Sequence, residues 1–202
     1  IRYLPENLIN QIAAGEVVER PASAVKEMVE NSVDAGATQI DVQIRSGGKR
    51  LITISDNGCG MSREELIASL DRHATSKLPD DDLLNIKNLG FRGEALASIA
   101  AVSRVKIETA CGGESWDITC EAGRKSDPKP SAHPAGTRIE IRDLFYATPA
   151  RLKFQKSDRA EYMAVKDIIS RLAMAYPEIG FRLVHDDKKS LDLARGQDLH
   201  AR

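Results

Sequence analysis

The chain has 202 residues, 42% of them hydrophobic but only 4% aromatic, and its 29 basic and 30 acidic side chains leave a formal net charge of -1. That length suits one domain with a sizeable core, and the balanced charge leaves no global electrostatic footprint for nucleic acid, so a DNA partner would need a local basic patch. No apolar run approaches the roughly 20 residues of a membrane span, and Ile1-Arg2-Tyr3-Leu4-Pro5-Glu6 lacks the apolar core of a signal peptide, so no membrane association and a cytosolic location are expected.

Pro5 suits the first turn of a short helix with Leu8, Ile9 and Ile12 on one face, which Gly15 is expected to end in the left-handed conformation. Pro21 opens a second helix. Its apolar stripe is Val25, Met28, Val29 and Val33, with Glu27, Asn31 and Asp34 on the other side and Ala35-Gly36 as the stop. Ile40, Val42 and Ile44 alternate with polar residues, Ser46-Gly47-Gly48 turns, and residues 51–55 resume strand character, so 38–55 reads as a hairpin. Asp56 is in phase with Ile52 and Ile54, which predicts a buried acid facing the helical layer and awaiting a donor.

Ser62-Arg63-Glu64-Glu65 is a capping box leading into Leu66, Ile67 and Leu70. Residues 72–92 lose periodicity around Pro79, the Asp80-Asp81-Asp82 run and Gly90, and read as a long loop of the kind that serves as a lid. A helix starts again across 93–100, and 102–110, 116–121 and 137–142 are strand-like. Asp158-Arg159-Ala160-Glu161 is expected to cap a helix bearing Met163, Val165, Ile168, Ile169, Leu172 and Ala173 and ended by Pro177, with strands near 179–185 and 189–193 after it. No internal repeat or composition break divides the chain, and the element pattern predicts an α+β fold, a mixed sheet with helices on one face.

Glu27 and Asn31 stand four positions apart on one helical face, a place for a base and a metal ligand, although such a pair alone is most often a solvated surface. Three companions change that balance: Asp56-x-Gly58-x-Gly60 at a strand end, Gly90-Phe91-Arg92-Gly93 before a helix, and Gly136-Thr137 before a strand. Each could be a simple turn. Together they assemble a nucleotide pocket, because glycines let backbone approach a ligand and a helix N-terminus offers unpaired N–H groups to phosphate. Other phosphate motifs fit worse: Gly48-Lys49 runs into Arg50 instead of the Ser or Thr of a Walker loop, and Arg63 takes the third glycine position of the dinucleotide fingerprint. Cys59, Cys111 and Cys120 are too scattered for a disulfide framework or a zinc site, so any metal must be held by oxygen.

Residues 10–21 (Asn-Gln-Ile-Ala-Ala-Gly-Glu-Val-Val-Glu-Arg-Pro), 30–38, 56–61, His73-Ala74-Thr75-Ser76-Lys77, 90–96 and 144–151 resemble the N-terminal ATPase domain of the MutL family of DNA mismatch repair proteins. That family shares a superfamily with gyrase, the large heat-shock chaperone and histidine kinases, and the likeness runs from residue 4 to about 202. The resemblance implies a Bergerat-type ATPase fold, a two-layer sandwich of a mixed, mostly antiparallel sheet with helices on one face. It implies an ATP-binding domain over residues 1–193 with a lid at about 72–92, and a linker beginning at 194–202 that leads to a second subdomain.

By the same resemblance the ligands are ATP and Mg²⁺. Glu27 is implied to be the general base, Asn31 the Mg²⁺ ligand, and Asp56 the acceptor of the adenine amino proton, with Thr137 nearby and Gly58 and Gly60 in the turn. Thr75, Ser76, Lys77, Gly90, Arg92, Gly93, Glu94, Ala95 and Leu96 are implied to fold over the triphosphate, with a surface lysine the plainer reading of Lys77 and pairing with protein carboxylates that of Arg92. The family further implies ATP-driven homodimerisation through this domain as a clamp, with residues 1–20 and 72–92 moving. Its partners are a mismatch-recognition protein and a downstream nuclease or helicase, in a bacterial cytoplasm or a eukaryotic nucleus. Because the family takes a γ-phosphate lysine from the following subdomain, a nucleotide-gated interaction module without significant hydrolysis stands as an alternative. A type II topoisomerase ATPase subunit is disfavoured by residues 10–21 and 144–151. Arg151, Lys153 and Lys156, continued by Arg159, Lys166 and Arg171, form a basic cluster that is either a solvated face or a weak, non-sequence-specific DNA surface.

Overall fold

The computed structural model describes residues 3–72, 74 and 93–197. Within them the helices are α1 (Glu6–Val17), α2 (Pro21–Asp34), α3 (Arg63–Ala68), α4 (Ala95–Val102), α5 (Pro149–Leu152) and α6 (Asp158–Ala175). The strands are β1 (Gln39–Arg45), β2 (Leu51–Asp56), β3 (Arg104–Cys111), β4 (Glu114–Glu121), β5 (Arg124–Lys125), β6 (Lys129–Pro130), β7 (Gly136–Arg142), β8 (Gly180–His185) and β9 (Lys188–Leu193). They form one sheet in the order β5-β4-β3-β7-β2-β1-β8-β9, with β6 on β4. Only β1 and β8 run parallel, so the sheet is mixed and mostly antiparallel as expected.

Alternation puts Ile40, Val42, Ile44, Ile52, Ile54, Val105, Ile107, Ile118, Ile139, Ile141, Phe181 and Leu183 on one face, where they are buried with Val25, Met28 and Val29 of α2, Ile99 of α4 and Val165 and Ile169 of α6. Among the described residues no helix covers the other face, which is charged. Cross-strand register lines up Arg182, Asp41, Ser55, Arg138, Glu108 and Asp117 in one transverse row, and open grooves of about 810 and 360 Å³ run beside Ser55. The hairpin of β1 and β2, the Pro21 start of α2 and the Ser62/Glu65 capping box of α3 are all present.

Three expectations are corrected. Helix α1 runs through Gly15 to Val17, with the Arg151 guanidinium lying so close to Gly15 that a Cβ there would require it to shift. Leu8, Ile9 and Ile12, expected on one face of this helix, are all exposed, while Ala14 and Val18 are buried. Val102 is the last residue of α4, not the first of a strand, because an apolar β-branched residue at a helix end and at a strand start give the same short-range signal. The cap of α6 is Ser157, whose side chain accepts from the Ala160 amide, with Asp158 inside the first turn.

Candidate functional site

Helix α2 carries Glu27 and Asn31 one turn apart, both half-buried, on the side away from Val25, Met28 and Val29. Ser32, the next residue round, falls on the apolar stripe beside Met28 and is 3% exposed. Its hydroxyl lies 2.7 Å from Asp56 Oδ2 and 3.2 Å from the Met28 carbonyl, so the shorter approach makes Asp56 its main acceptor. Asp56 Oδ1 accepts from the Gly58 amide at 2.9 Å. The expected buried acid is therefore half-buried and already holds two donors; a carboxylate offers about four lone-pair sites, which leaves room for a further donor from a ligand.

Thr137 is buried and sits directly across the β2/β7 ladder from Asp56. Its hydroxyl is 3.0 Å from that of Thr109, which also reaches the Gly136 carbonyl at 3.1 Å and accepts from the Met61 amide at 2.9 Å. Thr109 thereby ties the glycine turn after β2 to the sheet. The turn is held on its other side by the Cys59 amide, which donates to the Ala35 carbonyl at 3.0 Å, and by Asn57, whose Oδ1 accepts from the Thr38 and Gln39 amides at 2.9 Å. Gly60 has φ 69° and presses so closely on the Ala110 carbonyl that no side chain fits.

Beyond this turn Gly93 (φ 61°) and Glu94 lead into α4, whose Ala95 and Leu96 form its first turn, and α4 packs against α2. Thr75, Ser76, Lys77, Gly90 and Arg92 lie outside the described residues, as does the rest of the expected lid apart from Arg72 and Ala74. On the opposite flank of α2, Lys26 Nζ is 2.9 Å from the Glu30 carboxylate and 3.7 Å from Glu27 Oε1. Burial works against the Lys26 ammonium, but its hydrogen bond to Glu30 and the charges of Glu30 and Glu27 outweigh this and hold its pKa above the ordinary lysine value.

The basic cluster divides. Arg151 is engaged within the protein, against Gly15 and 6.0 Å over the Phe145 ring, and Arg171 pairs with Asp167 at 3.0 Å, whereas Lys153, Lys156 and Arg159 are exposed. Three residues of the site went unnoticed in the sequence: Ser32, Asn57 and Thr109. Ser32 was detectable in principle, as a hydroxyl on an otherwise apolar helical stripe that requires a buried partner. Thr109 had no local signal.

A family model described as "Histidine kinase-, DNA gyrase B-, and HSP90-like ATPase" matches residues 19–141. The chain is 59% identical over 196 residues to the DNA mismatch repair protein MutL of Paramagnetospirillum magneticum and 55% identical over 199 residues to that of Rhodospirillum rubrum, covering 96% and 98% of this chain but 32% of each relative. It thus spans about a third of the length of those relatives. Among solved structures, the Aquifex aeolicus MutL ATPase domain complexed with ADP matches with a TM-score of 0.75 at 33% identity, covering 90% of this chain and 66% of that one. The N-terminal domain of a DNA repair protein matches with a TM-score of 0.81 at 26% identity, covering 95% and 58%. The chain belongs to the histidine kinase-, DNA gyrase B- and HSP90-like ATPase family, and within that family it is similar to the ATPase domain of the mismatch repair protein MutL.

Proposed function

We propose that this chain binds ATP and hydrolyses it slowly, as the switch of a DNA mismatch repair protein. The observation that carries the reading is the Asp56 carboxylate at the end of β2, opposite Thr137, held by the Gly58 amide and by Ser32, which ties it to the helix that also bears Glu27 and Asn31. The ADP in the Aquifex aeolicus relative supports it. Asp56 accepts the adenine amino proton; a base presenting a carbonyl there would face an acceptor and be refused. Glu27 orients the attacking water and takes its proton.

Asn31 supplies a hard amide oxygen. One amide oxygen beside phosphate oxygens is a hard donor set, which suits an ion that keeps several waters and takes the rest of its shell from phosphate, as Mg²⁺ does. Bound there, Mg²⁺ would offset charge on the β- and γ-phosphates. The amides around Gly93, Glu94, Ala95 and Leu96, with Gly58 and Gly60 at the turn, receive the phosphates and base, and Thr75, Ser76, Lys77, Gly90 and Arg92 close over them.

Residues 1–193 act as one nucleotide-binding unit, with 194–202 beginning a linker. In the whole protein ATP binding brings two such units together and couples mismatch recognition to a downstream nuclease or helicase in the cytoplasm, while Lys153 and Lys156 contribute weak phosphate contacts to DNA. The test is Glu27→Ala in the protein extended beyond residue 202: ATP still binds with Mg²⁺ but is not turned over, and normal turnover would refute the assignment. A nucleotide-gated interaction module is favoured by one observation, the exposure of Leu8, Ile9 and Ile12 on α1. Full partner recruitment and normal release with a non-hydrolysable ATP analogue would establish that second reading.

A further inference from the structure

Glu30 is 7% exposed, and its carboxylate lies 2.9 Å from the Lys26 ammonium. Burying an acid is costly unless it is paired, and Glu30 has no place on the Glu27 and Asn31 face of α2, so its chemistry is spent on holding Lys26. The same ammonium lies 3.7 Å from Glu27 Oε1. The two distances differ in kind: the first is a charge-assisted hydrogen bond, and the second is beyond hydrogen-bond range yet close enough for an appreciable Coulomb attraction. Glu27 is thus the weaker of the two carboxylate partners of the Lys26 ammonium, paired by charge rather than by a short hydrogen bond.

We propose that Lys26, anchored by Glu30, is a positioning residue for the Glu27 carboxylate. The inference rests on the reading of Glu27 as the general base. A triphosphate entering the site brings several negative charges toward Glu27 and pushes on its carboxylate; the Lys26 ammonium holds that carboxylate in place on one flank of α2. Lys26 lies with Glu30 on the flank, rotated from the Glu27 and Asn31 face, so its loss should act on turnover and leave nucleotide affinity in place.

The experiment compares wild type, Glu27→Ala, Lys26→Arg, Lys26→Met and the double variant Lys26→Met/Glu30→Gln in the full-length protein, reading ATP affinity by equilibrium titration and kcat by steady-state hydrolysis. The double variant removes the ammonium without leaving a buried unpaired acid, so it stays interpretable where Lys26→Met alone fails to fold. Expected is a kcat for the double variant lower by roughly ten-fold or more, within the range a general base contributes, with ATP affinity within about two-fold and with turnover largely recovered in Lys26→Arg. Wild-type kcat in the double variant beside an inactive Glu27→Ala overturns the role of Lys26 and leaves Glu27 standing. Loss of affinity in proportion to kcat also overturns it, by making Lys26 a phosphate ligand. Normal turnover in Glu27→Ala would instead remove the reading of Glu27 itself.

Discussion

At the scale of single residues, Asp56 shows how little of a binding group is visible in its own position. Its phase with Ile52 and Ile54 was legible, because strand side chains alternate and two isoleucines mark the covered face. Its donors were not, since Ser32 is on another element and the Gly58 contact depends on how the turn folds back. Asp56→Asn is expected to lower ATP affinity by roughly ten-fold or more, about 1.4 kcal/mol, since an amide can turn its own N–H groups toward the adenine amine. Ser32→Ala should weaken binding less and cost about 1 kcal/mol of stability, the usual net worth of one such bond. Titration calorimetry and urea unfolding measure the two, and wild-type affinity in Asp56→Asn would remove Asp56 as the base reader.

At the scale of elements, the interior of α2 and the β1/β2 hairpin followed their patterns, whereas several ends did not. Ser157 and Asp158 are both good capping residues in adjacent positions, and only the Ser157 bond to the Ala160 amide decides between them. Gly15 is the more instructive case. A glycine near a helix end suggests a left-handed stop, but here it lets α1 pass the Arg151 guanidinium, which α5 brings up after the buried Phe145 with its positive φ of 70°. Gly15→Ala should therefore push the Arg151 guanidinium aside at little cost, since the far end of a flexible side chain can give way, and the better helix propensity of alanine, worth about 0.5–1 kcal/mol, should leave stability unchanged or slightly raised. A midpoint of thermal unfolding lowered by several degrees in Gly15→Ala, and restored by adding Arg151→Ala, would show instead that the guanidinium cannot give way.

For the whole molecule, the division into a greasy face under helices and a charged face without them sets its response to acid. The Lys106 ammonium, 2.8 Å from Glu108, holds that carboxyl below its ordinary range against the opposing effect of burial. Arg104 does the same to Glu121 and Lys189 to Asp192. Each folded value lies below the unfolded one, so the stability these groups contribute is fully present above about pH 4.5 and is lost as pH falls through the depressed folded values. Urea midpoints should decline from about pH 4.5 downward, less steeply in Glu108→Gln and less steeply in high salt, because exposed pairs are screened. Slopes identical in wild type and Glu108→Gln would exclude that contribution.

The sequence by itself determined what local physics controls: helix and strand periods, the capping box, the proline that opens α2, and the set of acid, amide and glycine residues that point to a nucleotide and to the MutL family. Tertiary structure alone decided which segments meet. It set β8 parallel beside β1, put Thr137 across from Asp56, supplied Ser32 and Thr109 as supports, and turned Arg151 from a surface cation into a contact of Gly15. Periodicity states which face of an element is apolar, but not against what that face packs; register and close approach between distant segments are settled only when the whole core is formed.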